Sequence, residues 1–168
     1  MINKFKRILS ALALASLVLV PALFLKANAE TSFKVKDGDS FYFNGEEIRI
    51  WGIDAPEFFQ KCFDGNGAEY PCGLKSKDFL QSLLATGDIS CKPMRRARRE
   101  TRTVARCFID GQDIAEIILR QGMAVEYDYF SKNFYDQFEQ EAKNSKTGIW
   151  SGTFTNPRDW RKKSRKYR

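Results

Sequence analysis

At 168 residues, with 43% hydrophobic and 29% charged side chains, the chain has the composition of one compact domain rather than of a disordered or collagen-like segment. Lys and Arg outnumber Asp and Glu by 28 to 21, a formal +7 that favours acidic partners such as nucleic acid or an anionic membrane. Histidine is absent. That excludes any mechanism needing imidazole, and leaves Asp, Glu, Arg, Lys, Tyr or a bound metal to carry chemistry.

In chain order, residues 1–29 read as a cleaved secretory signal. Lys4, Lys6 and Arg7 precede an apolar run from Ile8 to Leu25, and Ala27-Asn28-Ala29 supplies the small-residue cleavage site. Pro21 and that site argue against the alternative, an uncleaved membrane anchor. Cleavage after Ala29 would put the mature N-terminus at Glu30 and, with Lys26 also gone, lower the net charge from +7 to +3. All four cysteines, Cys62, Cys72, Cys91 and Cys107, lie in the exported part. An even count in an oxidising compartment reads as two disulfides with three possible connectivities, and a zinc site is a poor alternative without CxxC spacing or histidine.

Ser32–Lys36 alternates like a strand, and Ser40–Phe43 and Glu46–Ile53 flank Asn44-Gly45, a strong hairpin signal. A polar loop covers residues 58–73. Leu74, Phe79, Leu80, Leu83 and Leu84 recur near helical period before Thr86-Gly87 stops the run. Strands at Asp88–Lys92 and Thr103–Ile109 flank an arginine-rich loop. Asp113 with Glu116 starts a helix through Gln121, and a last helix covers Phe134–Ser145. Trp150, Phe134 and Phe138 read most simply as core. Five short strands with a helix after the third predict an α+β fold with a mainly β core, a five-stranded OB-fold barrel with about three helices. The domain is expected to span residues 30–157, followed by a basic C-terminal tail at 158–168.

Two clusters are candidates for chemistry: Asp37-Gly38-Asp39-Ser40 after the first strand, and Arg49 through Glu57. In an unbroken strand Arg49, Trp51 and Ile53 share one face, and Pro56 fixes the backbone just before Glu57. Asp39 and Asp54, at strand ends, would converge on a hard cation, for which calcium takes carboxylate, carbonyl and water ligands. Read alone, Asp37-Gly38-Asp39 is equally an ordinary turn.

Val35-x-Asp37-Gly38-Asp39-Ser40 followed by Arg49-x4-Asp54-x-Pro56-Glu57 resembles staphylococcal nuclease and its thermonuclease relatives. The resemblance continues through Arg102-x-Val104-Ala105, Asp110-Gly111 and Leu119-Arg120-Gln121-Gly122-Met123-Ala124 to Gly148-Ile149-Trp150, covering nearly all of residues 32–151. The four-cysteine arrangement is similar to an exported branch of that family. The resemblance implies one calcium ion per active site, with Asp39, Asp54 and the Ala55 carbonyl as its ligands. It further implies Glu57 as the general base and Arg49 and Arg102 as the clamp on the phosphoryl oxygens. Ala55 stands where the family usually has Thr and keeps the carbonyl. Glu100-Thr101 replaces the usual aromatic-Gly pair before the second arginine.

Arg95, Arg96, Arg98 and Arg99 form a positive loop upstream of that arginine; Arg98 and Arg99 are candidate substrate contacts that steer phosphate into the site. Tyr127 and Tyr129 match the family's nucleotide-pocket tyrosines at an altered spacing. The disulfides are expected to be Cys62–Cys72, closing the polar loop, and Cys91–Cys107, joining two strands that pair in the barrel. The tail sets seven Lys and Arg residues against Asp159, lacks a helical apolar stripe, and is expected outside the catalytic constellation as a flexible polyanion-binding cluster. The function implied is an exported, periplasmic or secreted, calcium-dependent nuclease acting on DNA and/or RNA with little sequence specificity. It is expected as a monomer without a stable protein partner and off the membrane after signal cleavage. The alternatives are a non-catalytic nucleic-acid-binding module of the same fold and a protein of the anionic membrane surface.

Overall fold

The computed structural model describes residues 32–166 apart from Arg96; the signal segment and its cleavage site lie outside the described residues. The first three strands, β1 (Phe33–Asp37), β2 (Ser40–Phe43) and β3 (Glu46–Ile50), form an antiparallel meander. Asn44 and Gly45 turn β2 into β3 with φ of 50° and 85°, the left-handed pair that a two-residue hairpin requires, and Phe43 faces Glu46 across it.

The strand expected over Glu46–Ile53 is interrupted. Gly52 has φ +82°, and a Cβ there would come within 2.8 Å of the Tyr135 ring, so both backbone and space demand glycine. Beyond this turn β4 (Ile53–Asp54) leaves the main sheet. Arg49, Trp51 and Ile53 therefore do not share one strand face. Next come a small ribbon of β5 (Cys62–Phe63) and β6 (Glu69–Tyr70), helix α1 (Cys72–Leu84), and the long strands β7 (Ile89–Pro93) and β8 (Thr103–Ile109). Strand β9 (Gln112–Asp113) leads into α2 (Ile114–Arg120), and the Asp113 carboxylate caps α2 by accepting from the Ala115 amide at 2.9 Å. Strand β10 (Val125–Glu126) pairs with β4, then α3 (Asp128–Ser131), α4 (Asp136–Asn144), a 3-10 turn (Gly148–Ser151) and α5 (Pro157–Lys166) complete the chain.

The main sheet runs β1-β2-β3-β8-β7, antiparallel throughout except for the parallel β3–β8 pair, with α1 inserted between its third and fourth strands. The fold is α+β with a mainly β core, in the strand order expected. Phe41, Ile48, Ile50, Leu80, Ile114 and Ile118 are fully buried between the sheet and the helices. Both expected disulfides are present, Cys62–Cys72 and Cys91–Cys107. Phe138 is buried as expected, whereas Phe134 is 50% exposed and stacks edge-on against Trp51 and Tyr135.

The described residues form five α-helices where about three were expected. One is the single turn α3. The other is α5, which forms in the segment read as a flexible tail. Pro157 suits a first helical position, and Asp159 in the first turn complements the helix dipole. A helix lacking an apolar stripe needs another anchor, and α5 has one in Arg161, described below. No described helix is long and apolar enough to cross a membrane.

Candidate active site

One wall of the site is assembled within the first 25 described residues. The β2–β3 register sets Ser40 opposite Arg49, which brings the preceding Asp39 beside the guanidinium. The turn at Gly52 then returns Asp54 to the same group. Arg49 donates from Nη1 to Asp39 Oδ1 at 2.9 Å and from Nη2 to Asp54 Oδ1 at 3.0 Å. Asp39 also accepts from the Ser40 hydroxyl at 2.9 Å and the Ala55 amide at 3.0 Å. The two aspartates are only 3% and 2% exposed. Burial pushes the Asp39 carboxyl up, but the Arg49 charge, with the Ala55 amide and Ser40 hydroxyl, outweighs it and holds the group below its usual range. Burial, reinforced by the neighbouring Asp39 charge, pushes Asp37 the other way, up to about 7.

Glu57 follows the buried Pro56 in a tight turn. The Gln60 amide donates to the Glu57 carbonyl at 2.7 Å, and the Glu57 amide donates to Gln60 Oε1 at 3.2 Å. Gln60 is fully buried, and its Nε2 donates onward to the Thr155 carbonyl at 2.6 Å. The base-bearing turn and the approach to α5 are thus joined through one side chain. From α5, Arg161 reaches back into the site. Its Nη1 donates to Asp54 Oδ1 at 2.9 Å and Glu57 Oε1 at 2.8 Å, and its Nη2 donates to Asp54 Oδ2 at 2.7 Å. The segment expected outside the catalytic constellation therefore contributes a residue to its centre.

The opposite wall begins at Arg102, at the entrance to β8. It is gripped by Glu100, which accepts from Nε at 2.8 Å and Nη2 at 2.7 Å, while Nη1 donates to Ser40 Oγ at 3.1 Å. Hydrogen bonding to Arg102 lowers the Glu100 carboxyl to about 2. In place of an aromatic-Gly pair, the chain thus puts an acidic clamp on its second arginine.

These groups share a pocket of about 520 Å³ lined by Asp39, Arg49, Ala55, Glu57, Arg102 and Arg161, together with Lys36, Arg99, Tyr127 and Phe130. Arg99 and Tyr127 are brought to it. Arg98 is exposed and off the lining, and Tyr129 is 65% exposed, 6.5 Å from the Tyr127 ring; the ring beside Tyr127 in the lining is Phe130. Arg161, Gln60, Glu100 and Phe130 were not foreseen from sequence. Glu100 and Phe130 each lie within three residues of a predicted site residue, whereas Arg161 and Gln60 act across about a hundred positions and carry no local signal.

The donor chemistry around Asp39 and Asp54 fits a hard cation, since both offer oxygen ligands, both are buried, and two guanidiniums already hold positive charge against them. Among the described residues no group of three or more Asp, Glu, Cys or His side chains converges as a ready-made cage, so such a cation would also draw on main-chain oxygen or water.

The chain is 35% identical over 117 residues to a succinoglycan biosynthesis protein, ExoI, of Rhizobium meliloti, covering 69% of this chain and 61% of that protein. It is 32% identical over 126 residues to endonuclease YncB of Bacillus subtilis, covering 68% and 58%. It is 28% identical over 120 residues to a probable endonuclease, LCL3, of Schizophyllum commune, covering 62% and 40%. The matched part thus spans 40–61% of these relatives' own length. The family model of the staphylococcal nuclease homologues matches residues 47–152, a stretch containing Arg49, Asp54, Glu57 and Arg102 but neither Asp39 nor Arg161. The chain belongs to the staphylococcal nuclease homologue family.

Proposed function

We propose that the chain is an exported, calcium-dependent nuclease that hydrolyses phosphodiester bonds of DNA and/or RNA with little sequence preference. The observation that carries this reading is the convergence of Arg49, Glu57 and Arg102 on one pocket beside two buried aspartates. Family membership and the endonuclease names of two of the relatives support it. Export is supported by two disulfides and by the signal-like residues 1–29.

Glu57 takes the proton of the attacking water, since a carboxylate is the natural base where no imidazole exists. Arg49 and Arg102 donate to the phosphoryl oxygens, where negative charge grows as phosphorus becomes five-coordinate. Arg99 and Tyr127, on the lining, guide the polyanion and support the nucleotide, with Arg98 and Tyr129 at the periphery. Asp39, Asp54 and the Ala55 carbonyl hold the calcium ion, which when bound neutralises phosphate charge and polarises the scissile group.

Purified protein incubated with plasmid and with RNA, in calcium, in magnesium and in chelator, tests this. Cleavage that needs calcium and is lost in Glu57→Gln is expected. Tight binding without cleavage in any metal would return the non-catalytic module as the better reading.

A further inference from the structure

The ion pairing at the centre of the pocket is crowded in a way that hydrolysis alone does not explain. Asp54 Oδ1 accepts from both Arg49 and Arg161, and Oδ2 accepts from Arg161, so both oxygens are engaged. The same Arg161 nitrogen that reaches Asp54 Oδ1 also holds Glu57. A cation ligated by Asp54 sits about 2.3–2.6 Å from a carboxylate oxygen, inside the shell that the Arg161 nitrogens now fill at 2.7–2.9 Å.

Charge balance points the same way. Asp39, Asp54 and Glu57 carry three negative charges against the two positive charges of Arg49 and Arg161. Replacing Arg161 by a divalent cation makes the cluster neutral, whereas keeping both leaves an excess positive charge in a largely buried setting, which is costly. Among the described residues, the side-chain hydrogen bonds from α5 to the rest of the domain are those of Arg161; Asp159, Lys162 and Ser164 bond within the helix. Arg158, Lys162 and Lys163 on the same helix are exposed. The helix is latched by one guanidinium, and that guanidinium stands where the cation would be coordinated.

We propose that Arg161 is a further residue of the site, a tethered counter-cation that competes with the divalent metal for Asp54 and Glu57. The metal-free pocket is held closed by α5. Metal binding displaces Arg161, frees Glu57 to meet water, and releases the basic helix towards the polyanion the site acts on. This rests on the cation-site reading above, and the test separates the two.

Calcium binding to the full mature chain, without nucleic acid, is measured by titration calorimetry, and α5 amide exchange is followed with and without calcium. Arg161→Met is expected to bind calcium about tenfold more tightly, the change that follows if the undocked wild-type state is about one-tenth populated. Its α5 amides, without metal, should exchange as fast as those of the calcium-saturated wild type. Deletion of residues 158–168 should reproduce the tightening even if Arg161→Met folds poorly, and Arg161→Lys should fall between. Unchanged or weaker calcium affinity in both the Met and deletion variants, or wild-type α5 protection indifferent to calcium, would overturn the latch. If the wild type binds no calcium, or Asp54→Asn binds it equally well, the cation site itself fails and the latch fails with it.

Discussion

The two walls of the pocket are built on different principles. On the β2–β4 side Asp39, Arg49 and Asp54 come from adjacent elements within sixteen positions, and both carboxylates are almost wholly buried. On the other side Arg102 pairs with Glu100 two residues away, and Arg161 arrives from the last helix; their side chains keep 23% and 27% of their exposure. The first wall is locked by desolvation, because no buried charge there can lose its partner cheaply. The second is held by partners that solvent or a phosphate can replace. A site arranged this way keeps its ligand geometry fixed while leaving its substrate-facing cations exchangeable.

Arg49→Ala should expose the difference most severely. It strips two buried aspartates of their shared partner, for an expected loss of about 3–5 kcal/mol in unfolding free energy by denaturant titration. Arg102→Ala, on the exchangeable wall, should cost under about 1 kcal/mol by the same measurement, although both should lower turnover by about a hundredfold or more. Equal stability losses would erase the distinction between the walls. Where the walls meet, Glu57→Gln should lower turnover at least about a hundredfold, with nucleic-acid binding in gel shift nearly unchanged. A milder change sharpens the comparison. Glu100→Gln weakens the clamp on Arg102 and should lower KM for a short substrate about two- to fivefold, with stability altered by under about 1 kcal/mol. The smallest effect is expected from deleting residues 162–168, which leaves Arg161 in place. Saturating turnover should stay within about threefold, while the log–log salt slope for long nucleic acid should shrink by about one unit or more.

Local chemistry was readable from the sequence, and so was the part of the fold it determines. Asn44-Gly45 announced its hairpin, Asp113 its helix cap, and the strand–helix order its sheet, because each depends on neighbouring residues alone. The break at Gly52 was passed over because the apolar alternation runs through it; what decides the matter is a left-handed φ and the ring of Tyr135, distant in sequence. The motif residues of the first wall were legible since that wall is local. Arg161 was not. Its place is set by hydrogen bonds spanning 104 and 107 positions, and a cluster of Lys and Arg reads the same whether it is a solvated tail or an anchored helix.

The Cys62–Cys72 bond has a consequence for where the chemistry can run. Cys72 opens α1, and the next residue, Gly73, lies so close to the Glu57–Phe58 backbone that a Cβ would stand 1.7 Å from the Glu57 carbonyl oxygen; its amide donates to the Gln60 carbonyl at 3.2 Å. The disulfide therefore fastens the floor on which the Glu57 turn rests. In a reducing cytosol that fastening is missing, and the carboxylate loses registration with Arg49 and Arg102 before the sheet gives way. Thiol chemistry thus works as a spatial safeguard: a newly made chain inside the cell is restrained from attacking the nucleic acid around it until an oxidising environment has finished its active site.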